Sequence, residues 1–251
     1  MTSTERFSDR AALYAKFRPG YPSAIVDILK QEAGLGAASV VADIGSGTGI
    51  STRLIAPHAA LVYAVEPNAE MRSEAERDEP ANVVSVEGTA EATGIAGKSV
   101  DFVLAATAFH WFKPMEARKE FRRILKPKGL VVLMWNMRQR ESSPLVAAYE
   151  QLLQDFGTDY RPSLMSDKWN APAEEFFGAG KFEHRVVPNF QDFDFDGFEG
   201  RLLSASYAPL PGNEKYEPMI ARLHEIYERY QVEDRVRFDY DTHVYWGAVT
   251  S

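Results

Sequence analysis

The chain has 251 residues and no cysteine, with 28 basic against 36 acidic side chains and a net charge of −8 at pH 7. That length is ample for one α/β domain with a full core, and the lack of thiols excludes a disulfide framework and a thiolate metal site. The acidic balance gives no general attraction to nucleic acid or anionic membrane; the opening MTSTERFSDR lacks a signal peptide's apolar core and no apolar run is long enough to span a bilayer, so a cytoplasmic protein is expected. In chain order, residues 22–33 predict an amphipathic helix with Ile25, Val26, Ile28 and Leu29 on one side. Residues 38–44 are apolar and β-branched without a helical period, which predicts a buried strand. A second strand follows the glycine-rich turn and is tipped by Glu66, and a helix starts near Ala69. Asn82–Glu87 and Val100–Ala106 predict the third and fourth strands. A helix over 115–126 is stopped by Pro127-Lys128-Gly129, and Leu130–Trp135 is a fifth, wholly apolar strand. Repeated βα units with continuous apolar strands imply a largely parallel sheet covered on both faces.

Beyond the fifth strand the pattern is less regular. Residues 143–156 and 172–179 read as helical around a stretch holding Pro162 and Trp169. A strand is expected over 182–190, a long helix over 214–231, and one or two closing strands over 235–249. There is no internal repeat or low-complexity tract.

The chemistry is concentrated in VVADIGSGTGIST, residues 40–52, where Asp43 precedes Gly45, Gly47 and Gly49. Glycines suit a tight strand-to-helix turn because positive φ angles and close backbone approach to a ligand both exclude a Cβ. Glu66, at the tip of the next strand, is placed to accept hydrogen bonds from a ribose diol. Together they indicate a nucleoside cofactor, against the plainer reading of a glycine-rich turn with no ligand. A dinucleotide fingerprint wants glycine or alanine where Ile50 stands, and no Gly-Lys-Ser/Thr follows to make a phosphate loop.

The D-x-G-x-G-x-G loop with Asp43 leading and Glu66 following resembles the class I S-adenosylmethionine-dependent methyltransferases. Three further segments resemble the trans-aconitate-methyltransferase-like group of that family (methyltransferase type 11 domain): FSDRAALYAKFRPGYP near the start, ATAFHWF after the fourth strand, and LSASYAPLPG with DYDTHVYWG toward the end. The resemblance implies a Rossmann-like seven-stranded α/β sheet, mostly parallel with a closing antiparallel strand, and a helical cover over the acceptor site. It divides a single domain of residues 1–251 into a lid segment (1–21), a cofactor-binding core (38–136), a cover and later strand (137–210), and a C-terminal helix with closing strands (211–251).

The resemblance also implies roles for single residues. Asp43 would orient the loop and reach the amino group of S-adenosyl-L-methionine; Gly45, Ser46, Gly47 and Gly49 would let the backbone run close to its methionine portion. Glu66 and Pro67 would take the ribose, and Met71 would pack near the adenine. Thr89, Ala90 and Glu91 stand where the family reads the adenine, Thr89 in place of the aspartate that many members have, and Ala106 ends the fourth strand beside the cofactor. Tyr14 and Arg18 are candidates for the cofactor's carboxylate, which an arginine can grip bidentately. An ordinary apolar helix face is the competing reading of Phe7, Tyr14 and Phe17, which share helical spacing.

His110 and Trp111 follow the fourth strand, where the activated methyl should point. His110 could accept a proton or orient an acceptor oxygen, and Trp111 could wall the pocket and favour a sulfonium cation. The competing reading is a histidine bonded to backbone and a tryptophan covering the core. The other histidines show no close metal-ligand spacing, and Ala105-Ala106-Thr107-Ala108 lacks the carboxylates of a magnesium-dependent catechol enzyme. Nor is it the N/D-P-P-Y/W motif of enzymes acting on flipped bases. Metal-independent methyl transfer to a small molecule, by a monomer or homodimer, is therefore the expectation. A non-catalytic S-adenosylmethionine-binding protein is the alternative, and a nicotinamide-dependent oxidoreductase is disfavoured by Ile50.

Overall fold

In a computed structural model, which describes residues 10–139, 143–160, 170–178 and 180–249, the apolar β-branched runs all become strands of one sheet. They are β1 (Val40–Ile44), β2 (Leu61–Val65), β3 (Val83–Val86), β4 (Val100–Ala106), β5 (Leu125–Arg138), β6 (Glu183–Phe193) and β7 (Val236–Gly247), in the order β3-β2-β1-β4-β5-β7-β6. The first five pair in parallel, and β7 enters antiparallel between β5 and β6. The chain winds outward from β1 in both directions, which puts the switch point of the sheet, where such folds bind ligands, beyond the carboxyl ends of β1 and β4.

Period-two alternation explains why the central strands are apolar throughout. Val103, Leu133 and Trp135 face one core with Phe121, Ile124 and Phe176, while Leu104, Val132 and Met134 face another with Ile25, Leu29 and Ile55. The helices that cover these faces are α1 (Ala11–Phe17), α2 (Ala24–Ile28, continued by a wide turn over Leu29–Ala33), α3 (Ile50–Ile55), α4 (Ala69–Ala75), α5 (Pro114–Ile124), α6 (Pro144–Phe156), α7 (Asn170–Phe177), α8 (Phe195–Leu203) and α9 (Tyr216–Tyr230). A third core of Tyr149, Leu152, Phe198, Leu223 and Phe238 joins α6, α8 and α9 to β7.

Several boundaries differ from expectation. Helix α5 stops at Ile124, because Pro127 disfavours helical backbone at the residue before it, and Leu125 already pairs with Val100 across an irregular register. Strand β5 is thus much longer than 130–135, and the closing element is one strand where two were also allowed. Helix α8 was not expected at all, since Gly197 and Gly200 weaken a helical reading. Asp194 starts it, its side chain accepting from the Gly197 amide at 2.8 Å. Gly200 is explained by α1: a Cβ there would lie 2.3 Å from the Phe17 ring. The N-terminal residues 1–9, Phe7 among them, and the stretch with Pro162 and Trp169 lie outside the described residues.

Segment 10–21 crosses from α8 to the sheet. The buried Arg10 guanidinium donates to the carbonyls of Leu203, Ala205 and Ala208. Arg18 donates to the Ser204 carbonyl at 3.1 Å, and Asn136 and Asn189 donate to the Gly20 carbonyl at 3.0 and 2.8 Å.

Candidate active site

The turn after β1 is built as the glycine spacing requires. Gly45 and Gly47 stand at φ 68° and 57°, left-handed backbone that costs other residues about 1–2 kcal/mol. A Cβ on Gly45 would also come 2.7 Å from the Ala108 Cβ, so this glycine lets the loop pack against the segment after β4. The amides of Gly45 and Ser46 both donate to the Val65 carbonyl, at 2.8 and 3.1 Å, which ties the loop to the tip of β2. Gly49 caps α3 at φ 80°.

Two carboxylates flank this turn. Asp43 is fully buried; its Oδ2 accepts from the Ser51 and Thr52 hydroxyls, each at 2.7 Å, while its Oδ1 has no partner among the described residues. Burial raises its pKa to about 6 against those two hydrogen bonds. Glu66 accepts from the amides of Gly47 (3.0 Å) and Asn68 (2.9 Å), which aim it across the turn; burial raises its pKa, and the same amides oppose the rise. Pro67 leads from Glu66 into α4, which Asn68 caps by accepting from the Met71 amide at 2.8 Å. Met71 is buried, and its methyl would lie 3.3 Å from a Cβ at Gly47.

The remaining candidates are less uniform. Thr89 forms a tight turn with Ala92, and its hydroxyl accepts from the Ala92 amide at 3.2 Å; Ala90 is buried. Glu91 accepts from the Lys113 amide at 2.8 Å, so one carboxylate oxygen serves the start of α5. Ala106 ends β4, and Thr107 after it sits at φ 54°. A β-branched residue there is strained, and such strain gathers at functional sites. The Tyr21 hydroxyl holds the Thr107 hydroxyl at 2.7 Å, and the Thr107 amide donates to the Met134 carbonyl at 2.8 Å. Neither residue was foreseen from sequence, because a strained φ has no signature in a threonine.

His110 and Trp111 occupy the short turn Phe109–Trp111, their rings 4.8 Å apart. The core-covering role belongs to Phe109, packed edge-on to Phe112, Trp135 and Phe176; Trp111 is 39 % exposed. Surrounding protein first and the Arg18 guanidinium second lower the His110 pKa, to about 4. Solvent contact at the residue's exposed edge tempers that shift, and either way the imidazole is neutral at pH 7. Arg18 lies against the Tyr14 ring, its Cζ 4.8 Å from the centroid. Asp43, Glu66 and the glycines therefore converge at the tips of β1 and β2, and His110, in the turn after β4, lies within reach of the Arg18 charge. Sequence reasoning passed over the half-buried Arg138 and the buried Tyr149 and Arg201, which lie on elements whose register it could not set.

The residues present fit S-adenosyl-L-methionine. The cradle has an unpartnered buried carboxylate oxygen for a cationic amine and a second carboxylate aimed from a strand tip, where a ribose diol fits.

Comparisons with known proteins agree. Residues 42–133 match the model of the family described as a methyltransferase domain. An uncharacterized methyltransferase-like protein of Schizosaccharomyces pombe is 35% identical over 94% of this chain and 92% of its own length, and a second from that yeast is 33% identical over 95% of both. In structure, the chain resembles a protein of Anaeromyxobacter dehalogenans assigned as a type II methyltransferase (TM-score 0.71, 23% identity, 93% of this chain and 98% of that one). It also resembles a S-adenosylmethionine-dependent methyltransferase from Thiobacillus denitrificans in complex with S-adenosylhomocysteine (TM-score 0.51, 15% identity, 99% and 100%). The chain belongs to the class I S-adenosyl-L-methionine-dependent methyltransferases, and S-adenosyl-L-methionine is its cofactor.

Proposed function

We propose that the methyl group goes to an oxygen nucleophile on a small molecule, most directly a carboxylate, without a metal ion. The observation that carries this reading is the state of His110. An imidazole held below its ordinary pKa, by the surrounding protein first and the Arg18 guanidinium second, is a weakened base, less suited to taking a proton from a hydroxyl. A carboxylate is already ionised at neutral pH and asks only to be oriented. The end of β4 offers no carboxylate to hold a metal. The net charge of −8 supports a small acceptor over nucleic acid.

In this reading S-adenosyl-L-methionine, when bound, would supply an activated methyl on a sulfonium for displacement by the acceptor oxygen, with sulfur as the leaving group. The chain's own part is placement, a contribution of up to about 7–11 kcal/mol in favourable cases. Asp43 and the glycine turn fix the methionine portion, Glu66 the ribose, Met71 with residues 89–91 the adenine, and Tyr14 with Arg18 the carboxylate. The described stretches of residues 143–160 and 180–210 cover the acceptor, and segment 10–21 acts as a lid.

Four outcomes test it. A screen of small acids, phenols and amines with labelled cofactor should give an oxygen-methylated product; a methyl found on nitrogen, sulfur or carbon overturns the assignment. With a carboxylate acceptor, His110→Gln should keep much of the activity and gain little pH dependence, whereas a hydroxyl acceptor would lower kcat by about 10²–10⁴ in that variant. Glu66→Ala should weaken cofactor binding by roughly 1–3 kcal/mol, the usual cost of a lost charge-assisted bond; calorimetry giving wild-type affinity for a folded variant would remove Glu66 from the ribose. Amide exchange across residues 10–21 should slow when cofactor is added, and equal exchange with and without it would end the lid assignment.

A further inference from the structure

Thr107 is held in a conformation that its own side chain disfavours. Four non-glycine residues among those described have positive φ, and three of them, Lys98, Glu233 and Asp234, lie in exposed turns. Thr107, at φ 54°, is the β-branched one, and it stands half-buried past the tip of β4 in the segment that leads to His110. Strain of this kind persists only where the surroundings over-determine it. Two contacts do so here. The Thr107 amide donates to the Met134 carbonyl at 2.8 Å, and its hydroxyl shares a hydrogen bond of 2.7 Å with the Tyr21 hydroxyl. The first is a backbone contact that any residue but proline could make, so the second is what calls for threonine.

Tyr21 is itself firmly mounted. The Gly20 carbonyl just before it accepts from Asn136 on β5 and Asn189 on β6, and the Asn136 carboxamide oxygen accepts in turn from the Thr242 hydroxyl on β7 at 2.5 Å. Helix α2 begins at Ala24, and the Tyr21 ring packs against the core that α2 shares with the sheet. Burial pushes the pKa of this phenol far above its ordinary value, so the bond to Thr107 does not titrate near neutral pH. On the other side of the segment, Gly45 lets the glycine turn close against Ala108 and Phe112. The stretch 107–112 is therefore gripped between two fixed bodies, the glycine turn and Tyr21.

We propose that Tyr21 is a positioning residue: by holding the Thr107 hydroxyl it fixes the strained turn after β4, and through that turn the place of His110 against the acceptor. This rests on the methyl-transfer reading above for what His110 faces, and it gives Tyr21 a task separate from that of a lid. The conformation of Thr107 is stored at the one point where the N-terminal segment touches the tip of β4 through a side chain on each, so the order of the turn depends on that hydroxyl pair.

The test is magnetic resonance of protein with ¹³C-labelled histidine rings, saturated with S-adenosylhomocysteine, so that no acceptor is needed. Wild-type His110 should titrate below the ordinary histidine range. Tyr21→Phe, which removes only the hydroxyl, should raise that midpoint by about one pH unit or more, as the slackened turn carries the imidazole away from the surrounding protein and the Arg18 charge. Thr107→Val keeps the shape and loses the hydroxyl; it should act alike, add nothing to Tyr21→Phe, and serve if that variant does not fold. Thr107→Gly takes positive φ without strain, so in its background Tyr21→Phe should leave His110 unmoved. The remaining histidines should hold their positions throughout, and calorimetry should give wild-type affinity for S-adenosylhomocysteine. A His110 that stays put in both single variants, or one that shifts equally in the glycine background, overturns the proposal. Loss of S-adenosylhomocysteine binding in Tyr21→Phe overturns it too, because Tyr21 would then serve the cofactor. No methyl is transferred in this experiment, so its failure leaves an oxygen-methylated product standing, and a nitrogen-methylated product leaves the Tyr21 result standing.

Discussion

A Gly47→Val protein is expected to fold and to bind no measurable S-adenosyl-L-methionine. Position 47 holds φ 57°, and a β-branched residue there pays for left-handed backbone with strain of order 1–3 kcal/mol. The fold can bear that, because the Cβ itself would meet only the flexible Met71 methyl at 3.3 Å. The cofactor site cannot. Valine's two methyls would stand between the turn and Met71, and relief of the strain would swing away the amide that holds Glu66 at 3.0 Å. Calorimetry and circular dichroism on the same sample decide the matter: native-like ellipticity with no heat of binding is the expected pair. Wild-type affinity in the folded variant would show that the cofactor does not run past this turn.

The second large effect has opposite signs for stability and binding. Burial lifts the Asp43 pKa from 3.8 to about 6, so between those values the unfolded chain has released this proton while the folded chain still holds it. Stability then falls as pH rises through that window, and above pH 6 the whole cost of a buried charge is present, about 3 kcal/mol at 1.36 kcal/mol per pKa unit. Asp43→Asn should remove it: melts at pH 7 should show a more stable protein, with the decline between pH 4 and 6 flattened apart from what Glu66 contributes in the same direction. The same variant should bind cofactor at least about ten-fold more weakly, the loss of one charge-assisted bond. Wild-type affinity should itself rise as pH increases through 6, because the free Oδ1 attracts a cationic amine only when the group is ionised. A less stable Asp43→Asn protein at pH 7 would mean that the carboxylate is held by something that offsets its burial.

What could be read from the sequence was whatever depends on local pattern. β4 was bounded to the residue, since both of its faces are buried and its run is bounded by turns. The positions of the glycine turn, Asp43 and Glu66 were legible because they follow from backbone conformation and strand ends. Helix α8 was not, because its two glycines are answered by partners distant in sequence: Gly200 exists for Phe17, and no local rule connects them. The buried Arg201 escaped for the same reason, since an arginine looks like surface until the helix carrying it is known. One oxygen of Glu91 serves the start of α5, a contact that no spacing in the chain announces.

The insertion of β7 between β5 and β6 bears on how the protein is made. Synthesis delivers β5 and β6 well before β7, so until Val236–Gly247 leaves the ribosome both present open edges whose amides and carbonyls have no neighbour. The β1–β5 half can form early from sequential βα units, while the remainder waits on a pairing that spans the distance from β5 to β7. A nascent chain stalled in α9 would carry the complete glycine turn and Glu66 and still be a sticky, half-closed sheet. Chaperone demand should therefore peak late in translation, and shortening the chain from its far end should harm solubility before it harms the cofactor loop.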